Sequence, residues 1–155
     1  DAKEVADRRV DEMLAIIKSS DALTLVTSPE QLRGAFAEGS IAIALAIENG
    51  APIGSDLENL HYFYKRGVRM VTLVHSRPNR IGDSSYAQHR PWKGLSPFGR
   101  GVVAEMNRMG MIIDVSHISD DAFYQVLERS KAPVIASHSS CRHSHRAGRE
   151  IWTMR

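Results

Sequence analysis

Residues 111–140 read MIIDVSHISDDAFYQVLERSKAPVIASHSS, and this stretch decides the fold. Two short apolar runs, MIIDVSH and APVIASH, each end in a histidine, His117 and His138. The first, with Ile112, Ile113 and Val115, is β-branched and nearly continuous, as a strand covered on both faces is. Between the runs Ser119 is a helix N-cap, and Asp120 and Asp121 lie where the helix dipole favours negative charge. Phe123, Val126 and Leu127 then form an apolar stripe. Strand, helix, strand is a βαβ unit with parallel strands. Both histidines therefore fall at the same edge of the sheet, the C-terminal edge, where α/β proteins keep their chemistry.

The alternation continues towards the N-terminus. Residues 2–19 read as a helix with Ala6, Val10, Met13, Leu14 and Ile17 on one face, followed by a strand over 22–26. Ser28-Pro29-Glu30-Gln31 opens a helix that buries Leu32, Ala35 and Phe36 and stops at Gly39. A strand over 41–47 ends in Glu48. Ser55, with Glu58 three residues on, caps a helix whose apolar face is Leu57, Leu60, Phe63 and Tyr64. A strand over 68–74 ends in His75, and a long loop runs from 76 to 95, the kind of segment that carries function on such scaffolds. Ser96-Pro97 opens a helix with Phe98, Val102, Val103 and Met106 inward and Gly110 at its close. Strands over 111–116 and 134–137 complete five strands alternating with helices, an α/β chain with a parallel sheet. No GxGxxG or P-loop follows any strand, which argues against a nucleotide-binding sheet.

Composition excludes several classes. With 155 residues, 43% apolar and 25% charged, the chain is of globular type and long enough for one core. A net charge of +2 gives no reason to expect nucleic acid or an anionic membrane as a partner. The single cysteine, Cys141, allows no intrachain disulfide framework. No run is long enough to span a membrane, and the first residues, DAKEVADRRV, lack the form of a signal peptide. The sequence leaves the compartment open: cytoplasmic if this N-terminus is native, exported if an upstream signal precedes it.

Four consecutive strands end in Glu48, His75, His117 and His138. One histidine at a strand end is usually structural; four such groups in a row point to a shared site. In a (β/α)8 barrel these ends converge on one mouth, and imidazoles with a carboxylate suit Zn²⁺ with an open position for water. Asp114 reads as a supporting hydrogen-bonding group rather than a ligand. His61, His89, His143 and His145 read as surface residues, and Cys141 as a reduced thiol. Arg77, Arg80 and Arg90 in the loop either meet a substrate carboxylate or are solvated, and Trp92 packs the loop down.

The segments IENG (47–50), GVRMVTLVH (67–75), GLSPFGRGVVAEMNRMGMIIDVSH (94–117) and KAPVIASHSSCRH (131–143) resemble the membrane dipeptidase (renal dipeptidase) family of zinc metallopeptidases. The resemblance runs from about Ser28 to His143. It implies a (β/α)8 TIM-type barrel with two zinc ions that hydrolyses dipeptides, often tolerating a D-residue at the C-terminal position. Glu48 matches the carboxylate bridging both metals, and His117 and His138 match the two histidines on one of them. His75 matches the histidine that contacts substrate and steadies the tetrahedral intermediate. Zinc would lower the pKa of bound water towards ~7 for attack on the peptide carbonyl. The family's His-x-Asp pair on the first strand, which serves the other zinc, and its late-barrel aspartate have no counterparts here. A whole barrel takes about 250 residues, so residues 1–143 are expected to form strands two to about five or six. Open sheet edges would favour self-pairing, a homodimer among the outcomes. Two other readings stand beside this one: an inactive fragment, or an amidohydrolase-type barrel acting on another amide or ester.

The last residues, SHRAGREIWTMR (144–155), show no continuing strand or helix pattern. The family leads one to expect a segment like RHFTPGWERNLDDA from residue 142. With suitable synonymous codons, deleting a single base from its third codon yields RHSHRAGREIWTMR, the tail observed. Residues 144–155 are thus expected to be a frameshifted tail, in which Arg149 is not the family's substrate-binding arginine.

Overall fold

The structure, a computed structural model, describes residues 1–139. In order it contains α1 (Ala2–Lys18), β1 (Leu23–Leu25), α2 (Pro29–Ala37), β2 (Ile41–Ile43), β3 (Leu45–Glu48) and a 3₁₀ turn at Ala51–Ile53. Then come α3 (Glu58–Lys65), β4 (Val68–Thr72), α4 (Pro97–Met109), β5 (Ile112–Asp114) and α5 (Asp120–Arg129). Helical crossovers return the chain to the same end, so every strand pair is parallel. β1 pairs with β2, and β3, β4 and β5 form a second sheet in that order. Segment 41–48 passes between the two: its first half pairs with β1 and, after a break at Ala44, its second half pairs with β4. Registers Glu48↔Thr72 and Thr72↔Asp114 bring the strand C-termini level.

The core lies between the second sheet and α3 and α4. Leu60 and Phe63 of α3, Val68 and Val71 of β4, and Val102, Val103 and Met106 of α4 are all fully buried. Val126 of α5 and Ile53 of the 3₁₀ turn join them. Helix starts are fixed locally. Ser28, Ser96 and Ser119 each accept from the backbone N–H three residues on, and Pro29 and Pro97 occupy first-turn positions where no N–H is needed. Gly110, at φ 70°, closes α4 in the left-handed region that suits glycine. Among the described residues, no helix is long and apolar enough to cross a membrane.

Several expectations need correction. The run over 134–137 is not a strand: Ile135 makes an isolated parallel bridge to Asp114, with bonds Val115 N–H to Ile135 O (2.8 Å) and Ile135 N–H to Ile113 O (3.0 Å). The strand expected over 41–47 is two pieces, and those over 68–74 and 111–116 end sooner, at Thr72 and Asp114. Ser55 does not cap α3. That helix begins at Glu58, whose N–H is met by Asp56 Oδ1 at 3.0 Å, because the 3₁₀ turn takes up the residues before it. α2 buries Ala35 but leaves Leu32 and Phe36 exposed, α5 leaves Leu127 exposed, and Met13 of α1 is exposed. Each keeps at least 40% of its surface exposed, Phe36 as much as 79%. His61 is only partly exposed; its Nε2 lies 2.5 Å from Glu105 Oε1, joining α3 to α4. Cys141, His143, His145 and the tail 144–155 lie outside the described residues.

Candidate metal centre

Glu48 closes β3, and His75 follows β4 by three residues. His117 follows β5 by three, and His138 follows the bridge at Ile135 by three. Parallel pairing in level register carries all four to one end of the sheet, and their side chains meet there. Glu48 Oε1 lies 3.2 Å from His117 Nε2, 3.1 Å from His138 Nε2 and 3.4 Å from His75 Nε2. The two imidazole nitrogens of His117 and His138 are 2.6 Å apart. The His75 and His117 rings, and those of His117 and His138, stand edge to face with centroids 4.5 Å apart.

Two trios can be drawn from this cluster. The donors of Glu48, His75 and His117 all lie within 4.8 Å of one another. The tighter set is Glu48, His117 and His138, and by distance it is the better candidate. Neighbouring donors of a tetrahedral ion with bonds of about 2.0–2.2 Å are about 3.4 Å apart. Two separations of the tighter set come close to this, and the third is shorter. Three electron-pair donors aimed at one point repel each other unless a cation or a proton lies between them, so the donor set fits a divalent metal.

The histidines differ in exposure. The His117 side chain is 13% exposed, whereas His75 and His138 are nearly half exposed. Burial is the main reason the His117 imidazole is held below its ordinary pKa. The Glu48 bond opposes this, and repulsion from His138 and His75 adds to it. The result is a neutral ring, the form a metal binds. His117 also has φ of 66°, rare for a side-chain-bearing residue.

Behind the cluster lies Asp114, fully buried. Its Oδ1 accepts from Ser116 N–H (3.0 Å), the Ser116 hydroxyl (2.8 Å) and Ser137 N–H (3.0 Å). Its Oδ2 accepts from the hydroxyls of Thr72 and Ser137, both at 2.6 Å. Burial alone would raise this carboxyl's pKa. The bonds from Ser137, Thr72 and Ser116 outweigh it and bring the value from 3.8 to about 2. Asn49, beside Glu48, accepts from Asn79 Nδ2 at 3.0 Å, tying the turn after β3 to the loop after β4. In that loop, buried Asp83 accepts from the N–H groups of Gly94 and Trp92, and Trp92 Nε1 donates to Asn79 O at 2.8 Å, so Trp92 holds the loop down as expected. Arg90 bonds within the loop, to Ser85 O and Ala87 O; Arg77 and Arg80 are exposed. The Tyr86 ring lies 5.7 Å from that of His117. The supporting groups Thr72, Ser116, Ser137, Asn49 and Asn79 escaped the sequence reading. The one available signal was the recurrence of serine beside His117 and His138, in DVSH and ASHS.

Parallel strands alternating with helices, with a carboxylate and imidazoles gathered at the strand C-termini, define an α/β chain with a candidate metal site. Comparison with known proteins identifies the family. Residues 1–151 match the family described as "Membrane dipeptidase (Peptidase family M19)", and the chain belongs to it. It is 40% identical over 121 residues to the dipeptidase tcpJ of Claviceps purpurea, covering 78% of this chain and 28% of that protein. Among solved structures it is similar to a metallopeptidase of Rhodobacter sphaeroides liganded with a phosphinate mimic of the dipeptide L-Ala-D-Ala. The TM-score is 0.85 with 29% identity, over 92% of this chain and 42% of that one. It is also similar to the probable dipeptidase PvdM of Pseudomonas aeruginosa, with TM-score 0.82 and 34% identity over 87% of this chain and 36% of that one. The chain thus spans under a third of the tcpJ sequence and well under half of these solved chains.

Proposed function

We propose that this chain carries part of the active site of a zinc-dependent dipeptidase, in which Glu48, His117 and His138 hold zinc and His75 faces the substrate. The observation that carries this is the meeting of one carboxylate oxygen with three imidazole Nε2 atoms within 3.4 Å at the ends of parallel strands. The M19 family match and the dipeptide mimic bound by the Rhodobacter relative supply the substrate class. When bound, the metal would supply Lewis acidity and a water of lowered pKa.

The residues divide the remaining work. Glu48, whose Oε1 is in reach of every imidazole of the cluster, would be the carboxylate that holds metal on the sheet side, and the family resemblance implies that it would serve two ions. His117, neutral and largely buried, offers a lone pair at neutral pH. His75, nearly half exposed beside Glu48, would be the ring that donates to the oxygen gaining charge as the peptide carbonyl is attacked. The fold reading that accompanies this is a partial (β/α)8 barrel, the chain matching 36–42% of the length of its solved relatives. Exposed Ile112 and Ile135 on one side, and Ile41 and Phe36 on the other, are where further strands or a second copy would pack.

A specific observation favours a second reading for the isolated chain: it spans only 28% of tcpJ and has no His-x-Asp pair, so alone it is a weak or inactive fragment. The test uses a complete parent protein carrying these residues, assayed on a dipeptide panel that includes L-Ala-D-Ala. The proposal expects turnover that is lost to a chelator, restored by zinc and abolished by His117→Ala. Hydrolysis of simple esters or non-peptide amides, with none of dipeptides, would replace it by the amidohydrolase reading.

A further inference from the structure

The hydrogen bonds around His138 determine which of its ring nitrogens carries the proton. His138 Nδ1 lies 2.7 Å from Ser137 Oγ, and Ser137 Oγ lies 2.6 Å from Asp114 Oδ2. A serine hydroxyl has a single proton to give. Asp114 is surrounded by donors: the backbone N–H groups of Ser116 and Ser137 fix Oδ1 as an acceptor, and two hydroxyls converge on Oδ2. The Ser137 proton therefore goes to Asp114, and Ser137 Oγ has only lone pairs left for the imidazole. His138 must then donate from Nδ1, which leaves Nε2 bare, and Nε2 is the atom facing Glu48 and His117.

We infer that Asp114 and Ser137 are positioning residues that hold His138 in its Nδ1–H tautomer and thereby prepare Nε2 to bind a divalent metal. The arrangement is a carboxylate acting on a histidine through a serine hydroxyl rather than by direct contact. Asp114 also spans the structure at this point: Thr72 belongs to β4, Asp114 to β5 and Ser137 to the run after the Ile135 bridge. One carboxylate thus sets both the spacing of three neighbouring runs and the protonation pattern of the ligand on the last. Metal binding by His138 rests on the function proposed above; its tautomer does not.

The sign of the relay can be reversed chemically. In Asp114→Asn an amide N–H can point at Ser137 Oγ, which frees the hydroxyl proton to face His138 Nδ1 and moves the ring proton to Nε2, where it blocks the metal. Ser137→Ala removes the relay, and Ser137→Thr keeps the hydroxyl. The first measurement is the ¹⁵N spectrum of the ring nitrogens in the metal-free chain near pH 8. It should show a protonated Nδ1 and a bare Nε2 at His138, the form set by the hydrogen bond that Nδ1 makes. The second is zinc affinity by competition with a chelator. Ser137→Ala and Asp114→Asn should each lose about 10–100-fold, the usual range for partners of metal-bound histidines, while Ser137→Thr stays close to the parent. A proton on Nε2 of His138 in the parent overturns the inference, and that spectrum needs no variant to fold. Unchanged zinc affinity in folded Ser137→Ala also overturns it. A parent with the Nδ1–H tautomer that binds no zinc would sustain the relay and overturn the metal reading.

Discussion

Asp114→Asn should remove a specific part of the protein's acid sensitivity. The folded carboxyl titrates at about 2 against an ordinary 3.8, since its five hydrogen bonds more than offset the cost of burial. A difference of nearly two pH units, at 1.36 kcal/mol each, amounts to about 2 kcal/mol. The folded pKa is depressed, so the contribution is fully present above pH 3.8 and is lost as pH falls through 3.8 towards 2. Other carboxylates contribute to acid unfolding, Glu105 among them, which its bonds from Arg108 and then His61 hold at about 2. The comparison must therefore be a difference. Urea unfolding of the parent and of Asp114→Asn at a series of pH values should show a stability gap that narrows by about 2 kcal/mol between pH 5 and pH 2. A gap that stays constant over that range would refute the account of Asp114 as a buried, ionised hub.

Other expectations concern packing and the chain's end. Phe63→Ala, which empties a fully buried site between α3 and the sheet, should cost about 3–5 kcal/mol in urea unfolding. A loss below about 1 kcal/mol would contradict that core. Two glycines of α4 should respond oppositely to alanine: a Cβ at Gly99 would strike the Ile81 carbonyl, while one at Gly101 meets open space. Gly99→Ala should lower the melting temperature, and Gly101→Ala should raise stability by up to about 1 kcal/mol through helix propensity. For residues 144–155 the frameshift proposal expects the gene, read one base out of register, to encode a PGxERN-like segment. Codons that give no such segment when read one base out of register would dismiss the proposal.

The alternation of elements was legible because each helix announces itself through a capping serine or an apolar stripe, and each crossover forces parallel pairing. Glu48, His75, His117 and His138 could be named together because the ends of parallel strands share one edge. The strand lengths were not legible. Apolar residues such as Leu73, Val74 and Val115 stay buried past the strand ends, where only single backbone bonds such as Leu73 N–H to Asp114 O and Val115 N–H to Ile135 O remain, so the hydrophobic run outlasts the regular ladder. The apolar faces of α2 and α5 misled for a related reason: Phe36 and Leu127 are apolar, yet the described chain leaves them 79% and 46% exposed. Ser137 and Thr72 were invisible as functional residues because hydroxyls are common at strand ends. Only the geometry around Asp114 sets them apart.

The central claim is that Glu48, His117 and His138 form the metal site and that His75 stands beside it. It is tested most directly by measuring zinc bound per chain, after dialysis against a zinc buffer, in the parent and in His75→Ala, His117→Ala and His138→Ala. The account expects bound zinc in the parent, its loss in His117→Ala and His138→Ala, and its retention in His75→Ala. Equal loss in all three variants would make His75 a ligand of the alternative trio with Glu48 and His117 and contradict the role given to it here.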